Sequence, residues 1–423
     1  MKKTLLMILF SALIVGAAFL AISRDWQAPT IKLSEATYVN HSVIAVVSDN
    51  RGIGNACYYL DGKADAKSCV NAGGSTSYEL SVDLSTLADG DHQVCVMVED
   101  ANPYFPNRVE QCQGYVLDKV PPRAVLESAT RYMTRGGGAA VFVSTPESET
   151  NIRLVAGGHQ FRFISNAEGT RHFAVFAHPH DVEVADFKPM VEIEDLAGNV
   201  RRLLIGTVTR DRTFKEDTLN IPHAFIESKS LEMLNKEGNS KEAFLEMNRT
   251  TRVQNRAKIK AVLSAAVSGE PMWKGDFYRN LGAPKAQYAE HRTYLLDKEE
   301  IDQQTHYGID IAGLAKMPIK AANDGMVIFA EYLGIYGNCI IIDHGAHVYT
   351  MYAHLSQMDV TPGEIVARGQ DIARSGNTGM AGGDHLHYAI YISDVPVEPA
   401  EWFDPAWLKT RIDDIYQDFK TAE

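Results

Sequence analysis

Short strand-like runs separated by strong turn residues cover most of this 423-residue sequence. In the stretch YELSVDLSTLADGDHQVCVMVED, for example, two alternating runs flank Asp89-Gly90. Alternation of apolar and polar residues is typical of half-buried strands, and Asp-Gly is a preferred hairpin turn. A chain punctuated in this way is restricted to short strands joined by tight turns, so the sequence predicts a mainly β fold.

The strand and turn pattern divides the chain into several regions. About seven short strands in residues 25–120 predict an immunoglobulin-like β domain, and Pro121-Pro122 marks its end. Residues 121–215 predict a second β-sandwich domain in tandem with the first. Residues 216–270 are rich in Glu, Lys, Leu and Met, which predicts a helical connector or a latency element over a neighbouring groove. Residues 271–423 return to an antiparallel β pattern.

The N-terminus predicts export. Met1-Lys2-Lys3 precedes an apolar run from Leu5 to Ile22, which has the features of a signal peptide or a membrane anchor in residues 1–24. Cleavage is possible after Ser23, with Ala21 and Ser23 at the small-residue positions, but nearby isoleucine and phenylalanine make this site poor and favour the anchor. Both interpretations stay open. We therefore expect residues from about 25 onward to lie in the cell envelope, anchored in the inner membrane and facing the periplasm, or secreted after cleavage.

Four cysteines support an oxidising compartment. Cys57, Cys69, Cys95 and Cys112 lie within the first predicted β domain, and an even number of clustered cysteines indicates two disulfides. Three pairings are open, and we favour Cys57–Cys69 and Cys95–Cys112 because each pair flanks a predicted hairpin turn. The formal net charge of −13 argues against a nucleic-acid partner, because phosphate binding needs a basic surface.

The candidate chemistry lies in residues 271–423. THYGIDIAG contains His306 and Asp310, MYAHLS contains His354, and GGDHLHYAI contains His385 and His387. Catalytic zinc sites use three protein ligands, commonly imidazole nitrogens and a carboxylate oxygen, and leave one position open. Two histidines and one aspartate would meet that need, and two further histidines would remain for proton transfer.

These motifs, in this order and with these flanking glycines, resemble the lysostaphin-type or LytM-like zinc peptidases, which cut peptidoglycan peptides. The resemblance covers roughly residues 285–408 and includes YTMYAHLS, TPGEIVARGQDIARSGNTGM and VEPAEWFDPAW. It implies a small antiparallel β module, the duplicated hybrid motif, with Zn²⁺ in an open groove. By position, His306, Asp310 and His387 match the metal ligands, and His354 and His385 match the catalytic histidines.

The resemblance predicts a zinc endopeptidase that acts on peptidoglycan, with His385 moving protons and His354 orienting the water or stabilising the oxyanion. The alternative is a non-catalytic cell-wall scaffold or amidase activator, and a third hypothesis is an adhesive surface module. The β domains are predicted to bind the wall or other envelope proteins.

Asp384 is a candidate to hold an imidazole or to shape the glycine turn, and the role of Arg292 is left open.

Overall fold

The computed structural model describes residues 27–146 and 150–422. The predicted signal or anchor in residues 1–24 lies outside the described residues. Among the residues described, no helix combines the length and the apolar character that a membrane span requires. The chain separates into two compact units, one containing the described residues up to Pro122 together with Glu194–Val200, and the other containing Arg123–Ile193 and the residues from Arg201 onward.

The first unit consists of two β-sheets around one apolar core. The three-stranded sheet has the order β1-β3-β6, and the five-stranded sheet has the order β2-β8-β7-β4-β5. Val43 and Val82 of the smaller sheet pack in the same buried cluster as Val94 and Val96 of the larger one. The immunoglobulin-like arrangement stays a prediction. The strands are β1 Thr30–Leu33, β2 Tyr38–Val39, β3 Ser42–Ser48, β4 Ile53–Leu60, β5 Ser68–Asn71, β6 Ser77–Asp83, β7 Gly90–Asp100 and β8 Arg108–Leu117.

Two disulfides join neighbouring strands of the larger sheet. Cys57 lies directly opposite Cys69 in the β4–β5 pair, and Cys95 lies opposite Cys112 in the β7–β8 pair. Both pairs are bonded, so the favoured connectivity is confirmed. Cys339 is a free and fully buried strand residue.

The second unit begins with strands in three groups. Two four-stranded sheets have the orders β14-β15-β11-β9 and β13-β12-β16-β17, and β10 pairs with β18 in parallel. The strands are β9 Val125–Ala129, β10 Tyr132–Thr134, β11 Gly138–Ser144, β12 Asn151–Ala156, β13 His159–Phe161, β14 Ile164–Ser165, β15 Arg171–Ala177, β16 Met190–Glu194, β17 Val200–Leu204 and β18 Val208–Arg210.

Residues 216–270 are helical only in part. Glu216–Asn220 forms strand β19, which pairs in parallel with a strand of the following region, and the helices begin at His223. The sequence predicts two or three helices in this region and no strand, and tertiary strand pairing outweighs local composition in so short a segment. The helices are α1 His223–Leu234, α2 Lys241–Leu245, a π-helical turn Glu246–Thr251 and α3 Arg252–Ala265.

The remaining strands form the sheets that carry the candidate chemistry. The main sheet has the order β20-β23-β31-β27-β26-β25-β29, with β32 also paired to β31, and smaller sheets have the orders β19-β21-β22 and β24-β30-β28. The strands are β20 Ala283–Ala286, β21 Glu290–Leu296, β22 Glu299–His306, β23 Ile309–Ala312, β24 Pro318–Lys320, β25 Gly325–Tyr332, β26 Asn338–Asp343, β27 Val348–Leu355, β28 Gln357–Met358, β29 Ile365–Val366, β30 Asp371–Arg374, β31 Leu386–Ile392 and β32 Val395–Val397.

One core joins the two β-rich parts of the second unit. Phe142 and Phe173, from the stretch predicted as a second sandwich, share a buried cluster with Tyr388 and Trp402. Phe419 of the C-terminal helix packs edge-on against Phe142 at 5.8 Å between ring centroids. The C-terminal helices are α4 Pro399–Trp402, α5 Pro405–Leu408, a π-helical turn Lys409–Asp413 and α6 Asp414–Thr421. The mainly β fold class is confirmed.

Candidate metal centre and active-site cleft

Three strands bring three ligand-type side chains to one point. Asp310 in β23 lies directly opposite His387 in β31, and His306 is the last residue of β22. His306 Nε2 lies 3.0 Å from Asp310 Oδ1 and 2.9 Å from His387 Nδ1, and the latter two atoms are 3.0 Å apart. All three residues are buried, so the sequence-predicted ligands form one compact cluster.

The protonation states of these groups make the cluster electron-rich. His306 Nδ1 donates to the carbonyl of Gln287 at 3.0 Å, which leaves the Nε2 lone pair facing the cluster. Burial lowers the pKa of His387 to about 4, so its imidazole is neutral near pH 7. Burial raises the pKa of Asp310, but its interactions and hydrogen bonds with His306 and His387 outweigh this effect and hold the pKa of this carboxyl well below its usual value.

A carboxylate oxygen and two imidazole nitrogens therefore converge in a buried place. Such a convergence is unfavourable in the low dielectric of the interior unless a cation lies between the donors. A nitrogen and oxygen donor set with one carboxylate fits a divalent transition metal. The geometry of these three ligand atoms therefore fits a metal centre.

A second layer of charged groups fixes the orientation of Asp310. Arg292 Nη2 donates to Asp310 Oδ2 at 3.0 Å, and Arg292 Nε donates to Glu290 Oε1 at 3.1 Å. Glu290 is fully buried and also accepts from Lys215 Nζ at 3.0 Å. Because Oδ2 is held by Arg292, Asp310 presents Oδ1 to the cluster. Arg292, whose role the sequence left open, is thereby placed as the orienting partner of Asp310.

Gly308 gives His387 the space that it occupies. A Cβ atom at this position would lie 2.5 Å from the carbonyl oxygen of Tyr388 and 2.8 Å from His387 Cε1. Neither distance is compatible with a side chain. The glycine in the HYGID motif is therefore required by the close packing of β31 against the loop between His306 and Asp310.

A bulge in β27 turns His354 towards the cluster. Ala353 pairs with His387, so in a regular strand the next side chain would point to the opposite face of the sheet. The pairing of β26 with β27 instead shifts register between Asn338 and Ile340, and His354 has a φ of +62°. The His354 ring consequently lies 4.8 Å from the ring of His385 and 5.8 Å from that of His387, measured between centroids.

Backbone carbonyls select the tautomers of the two histidines beside the cluster. His354 Nδ1 donates to Thr378 O at 2.8 Å, and His385 Nδ1 donates to Gly383 O at 2.8 Å. In both rings Nε2 is left as the acceptor when the ring is neutral. Burial, together with the neighbouring imidazoles, holds the pKa of His354 well below its usual value. His385 Nε2 lies 3.6 Å from Asp310 Oδ1, outside the triangle of ligand atoms.

Helix α1 holds the loop that positions His354. Lys229 Nζ donates to Asn377 O at 2.6 Å, and the amide of Gly379 donates to Glu232 Oε1 at 2.5 Å. These contacts lie on either side of Thr378, whose carbonyl accepts from His354. Lys229 and Glu232 are also paired with each other at 2.9 Å. Neither residue is predicted from the sequence as part of the site, because lysine and glutamate on a helix usually form a solvated face.

Asp384 does not orient an imidazole. Its Oδ2 accepts from the amide of Lys316 at 3.0 Å, and its Oδ1 accepts from Ser375 Oγ at 2.5 Å. These bonds join the glycine turn before His385 to neighbouring loops, so Asp384 shapes the turn. Of the two roles proposed from the sequence, the structure supports the second.

The cluster lies in a cleft of about 520 Å³. Its walls include all five candidate histidine and aspartate residues, and also side chains from the stretch predicted as a connector. The lining residues are Asp217, Leu219, Asn220, Ile221, Pro222, Phe225, Arg252, Lys285, Ala286, Glu290, Arg292, Tyr294, His306, Asp310, Ile335, Tyr336, His354, Met380, Gly382, His385 and His387. A cleft of this size takes a ligand of a few residues.

Comparison with known proteins gives a consistent match for this region. Residues 304–399 match the profile of peptidase family M23. Peptidoglycan DD-endopeptidase ShyA of Vibrio cholerae serotype O1 is 40% identical over 92 residues, which are 22% of this chain and 21% of that protein. DD-carboxypeptidase/endopeptidase Mpg of Neisseria meningitidis serogroup B is 42% identical over 94 residues, 22% of each chain.

The aligned part of the chain thus spans only about a fifth of the length of these curated relatives. Among solved structures, a protein from Pseudomonas aeruginosa assigned to peptidase M23 aligns with a TM-score of 0.40 and 22% identity. That alignment covers 64% of this chain and 95% of the other.

Proposed function

From a chain whose residues 304–399 form a domain of peptidase family M23, we infer a zinc-dependent endopeptidase that hydrolyses peptide bonds in peptidoglycan stem peptides or cross-links. The observation that carries this proposal is the buried triangle of His306, Asp310 and His387, which lines a cleft beside two imidazoles whose Nε2 atoms are not engaged by the backbone. The names of the relatives supply the substrate class. The match covers only a small part of those proteins. The activity proposed for the whole chain is therefore argued from the geometry of its own site.

His306 Nε2, Asp310 Oδ1 and His387 Nδ1 would hold the zinc ion. When bound, Zn²⁺ polarises the scissile carbonyl and lowers the pKa of water to about 7, as zinc does in hydrolytic enzymes generally. Asp310 is kept in position by Arg292, and the tautomer of His306 is fixed by Gln287. The metal would therefore meet a set of ligands whose orientation is already determined.

His385 acts as the general base in this proposal. Its Nδ1 is engaged with Gly383 O, so Nε2 is the atom that accepts a proton from the attacking water. The proton then passes to the leaving amine when the peptide bond breaks. A positioned base of this kind contributes roughly a hundredfold to ten-thousandfold to the rate.

His354 orients the water in this proposal. Its Nδ1 is fixed by Thr378 and its ring is neutral, because burial keeps its pKa well below the usual value. A neutral ring in this tautomer accepts a hydrogen bond at Nε2, which suits an attacking water and does not suit an oxyanion. Of the two roles considered from the sequence, we therefore favour orientation.

We further propose that the chain works in the cell envelope. Two disulfides in the first unit support an oxidising compartment, and the lysines and apolar run of residues 1–22 support export by a cleaved signal or a retained anchor. On the same basis, the wall is the proposed ligand of the β domains, with other envelope proteins as further candidates.

The test is digestion of purified peptidoglycan sacculi, with mass spectrometry of the released muropeptides. The zinc-loaded wild type should release products that contain newly cut peptide bonds, and His354→Ala and His385→Ala should each lower the rate about a hundredfold or more. His291→Ala, an exposed residue of β21, is the matched control and should remain active. If the wild type releases no products, the endopeptidase proposal fails and the scaffold or amidase-activator hypothesis takes its place.

A further inference from the structure

Two basic side chains of the cleft lack an acidic partner. The carboxylates that line the cleft are already paired with basic groups, Asp217 with Lys215, and Glu290 and Asp310 with Arg292. Arg252 and Lys285 line the same cleft, and neither forms an ion pair with any acidic side chain of residues 27–146 or 150–422. The lining holds three basic and three acidic side chains. Lys215, outside the lining, pairs with Asp217 and Glu290, so Arg252 and Lys285 stay without an ion pair among the described residues.

Arg252 is held in a defined orientation. Its Nη2 donates to Asn248 Oδ1 at 2.6 Å, and its Nε donates to Asn248 O at 3.1 Å. Asn248 is fully buried, and its Nδ2 donates to the buried carboxylate of Asp302 at 2.8 Å. An arginine fixed through a buried amide loses little entropy when it binds an anion, because its planar donors are already arranged.

The remaining donors of Arg252 are available to a ligand in the cleft. Asn248 engages two of the five guanidinium N–H groups, which leaves donors for a carboxylate. Tyr336 lines the same cleft, and its ring lies 5.7 Å from that of His387. A peptide of a few residues bound at the metal centre would therefore reach the wall that Arg252 forms.

We propose that Arg252 binds a carboxylate of the peptide substrate, so that the cleft selects an acidic peptide over the same peptide with that group amidated. Lys285 adds a second and more exposed positive charge. This inference rests on the proposed function and names the substrate class more closely. Peptidoglycan stem peptides carry free carboxylates beside their peptide bonds, so such a ligand is available in the proposed substrate.

The experiment uses the full-length zinc-loaded protein and two cross-linked stem-peptide dimers, one with free carboxylates and one with these groups amidated. Charge-assisted hydrogen bonds are about twice as strong as neutral ones, so the wild type should have a kcat/KM about tenfold higher for the acidic dimer, mainly through KM. Arg252→Gln should abolish this preference, and Arg252→Lys should restore part of it. Lys258→Gln makes the same change of charge on helix α3 outside the cleft and should leave the preference unchanged.

A binding measurement separates failure of this inference from failure of the proposed function. Fluorescently labelled versions of both dimers are titrated with wild type, Arg252→Gln and Lys258→Gln. Tighter binding of the acidic dimer by wild type and Lys258→Gln, but not by Arg252→Gln, supports the subsite even if neither dimer is cleaved. Equal binding of the two dimers by wild type, or a preference that survives in Arg252→Gln, overturns it whatever the activity.

Discussion

At the scale of single residues, the site depends on partners that hold each ligand in one orientation. Asp310 shows this most clearly, because one oxygen is bound by Arg292 and the other faces His306 and His387. Arg292 lies between two buried carboxylates, Asp310 and Glu290, and donates to both. Its loss would leave Asp310 free to rotate and would leave a buried negative charge with less compensation.

Arg292→Met should therefore lower metal affinity about tenfold to a hundredfold, which is the usual effect of removing a group that orients a ligand. Affinity is measured by competition with a chromophoric chelator. Arg292→Lys should give an intermediate value, because a lysine keeps the charge but lacks the forked donors. Arg279→Met is the control, because the Arg279 side chain is exposed and donates to the carbonyl of Gly282, away from the metal ligands. Unchanged affinity in Arg292→Met would contradict this role.

Sequence motifs predict which residues converge but not the orientation of each side chain. The resemblance of THYGIDIAG and GGDHLHYAI to a zinc peptidase family implies His306, Asp310 and His387 as ligands, and the structure brings their ligand atoms together. The bulge that turns His354 inward depends on a register shift against β26. Such a shift arises from pairing between distant segments and leaves no mark on the local pattern of MYAHLS.

At the scale of secondary-structure elements, helix α1 acts on the site through a loop. Lys229 and Glu232 bind the backbone on both sides of Thr378, and the Thr378 carbonyl fixes the tautomer of His354. The helix is separated from that loop by about 150 residues in sequence, as the Lys229 to Asn377 contact shows. A stretch predicted from composition to be a connector is thus a support of the active site.

Lys229→Met and Glu232→Gln should each lower kcat about tenfold, with a smaller change in KM, because they loosen a group that orients water and not one that binds peptide. Steady-state kinetics on a muropeptide dimer measures the two constants. Glu227→Gln, an exposed position on the same helix, should match wild type, and Lys229→Arg should recover part of kcat. An unchanged kcat in both variants would show that the loop holds His354 without the helix.

The strand Glu216–Asn220 shows why this element was mispredicted. Its five residues alternate between exposed and half-buried positions, and the element that follows it along the chain is a helix. A parallel partner more than 70 residues away, β21, supplies its backbone hydrogen bonds. Composition over a long window reports the average of such a region, so a short strand at its edge is not detected.

At the scale of the whole molecule, the regions predicted as connector and peptidase share apolar cores. Ile259 and Leu263 of α3 pack in a cluster with Tyr349 and Met351. Ile226 and Phe244 cover Tyr294, Leu296 and Ile301. Domain boundaries drawn from sequence follow changes of pattern, whereas shared cores are set by long-range packing, so the boundary at residue 270 does not mark an independent core.

The isolated fragment 271–423 should therefore be less stable and less active than a chain that starts at residue 123. Removing the helices exposes several buried side chains, each worth about 1.5–3 kcal/mol, against a total stability of about 5–15 kcal/mol for a typical domain. Thermal unfolding and activity per mole are compared for the two fragments and the full chain. A stable fragment 271–423 with higher activity than the full chain would instead favour the latency interpretation of residues 216–270.

The central claim is that His306, Asp310 and His387 hold a metal while His385 remains off it. Metal content per chain, measured by mass spectrometry on the purified wild type, His387→Ala and His385→Ala and paired with muropeptide hydrolysis, tests this most directly. We expect about one zinc per chain in the wild type and in His385→Ala, with activity only in the wild type, and loss of both metal and activity in His387→Ala. Loss of metal in His385→Ala together with its retention in His387→Ala would show that the roles of the two histidines are reversed.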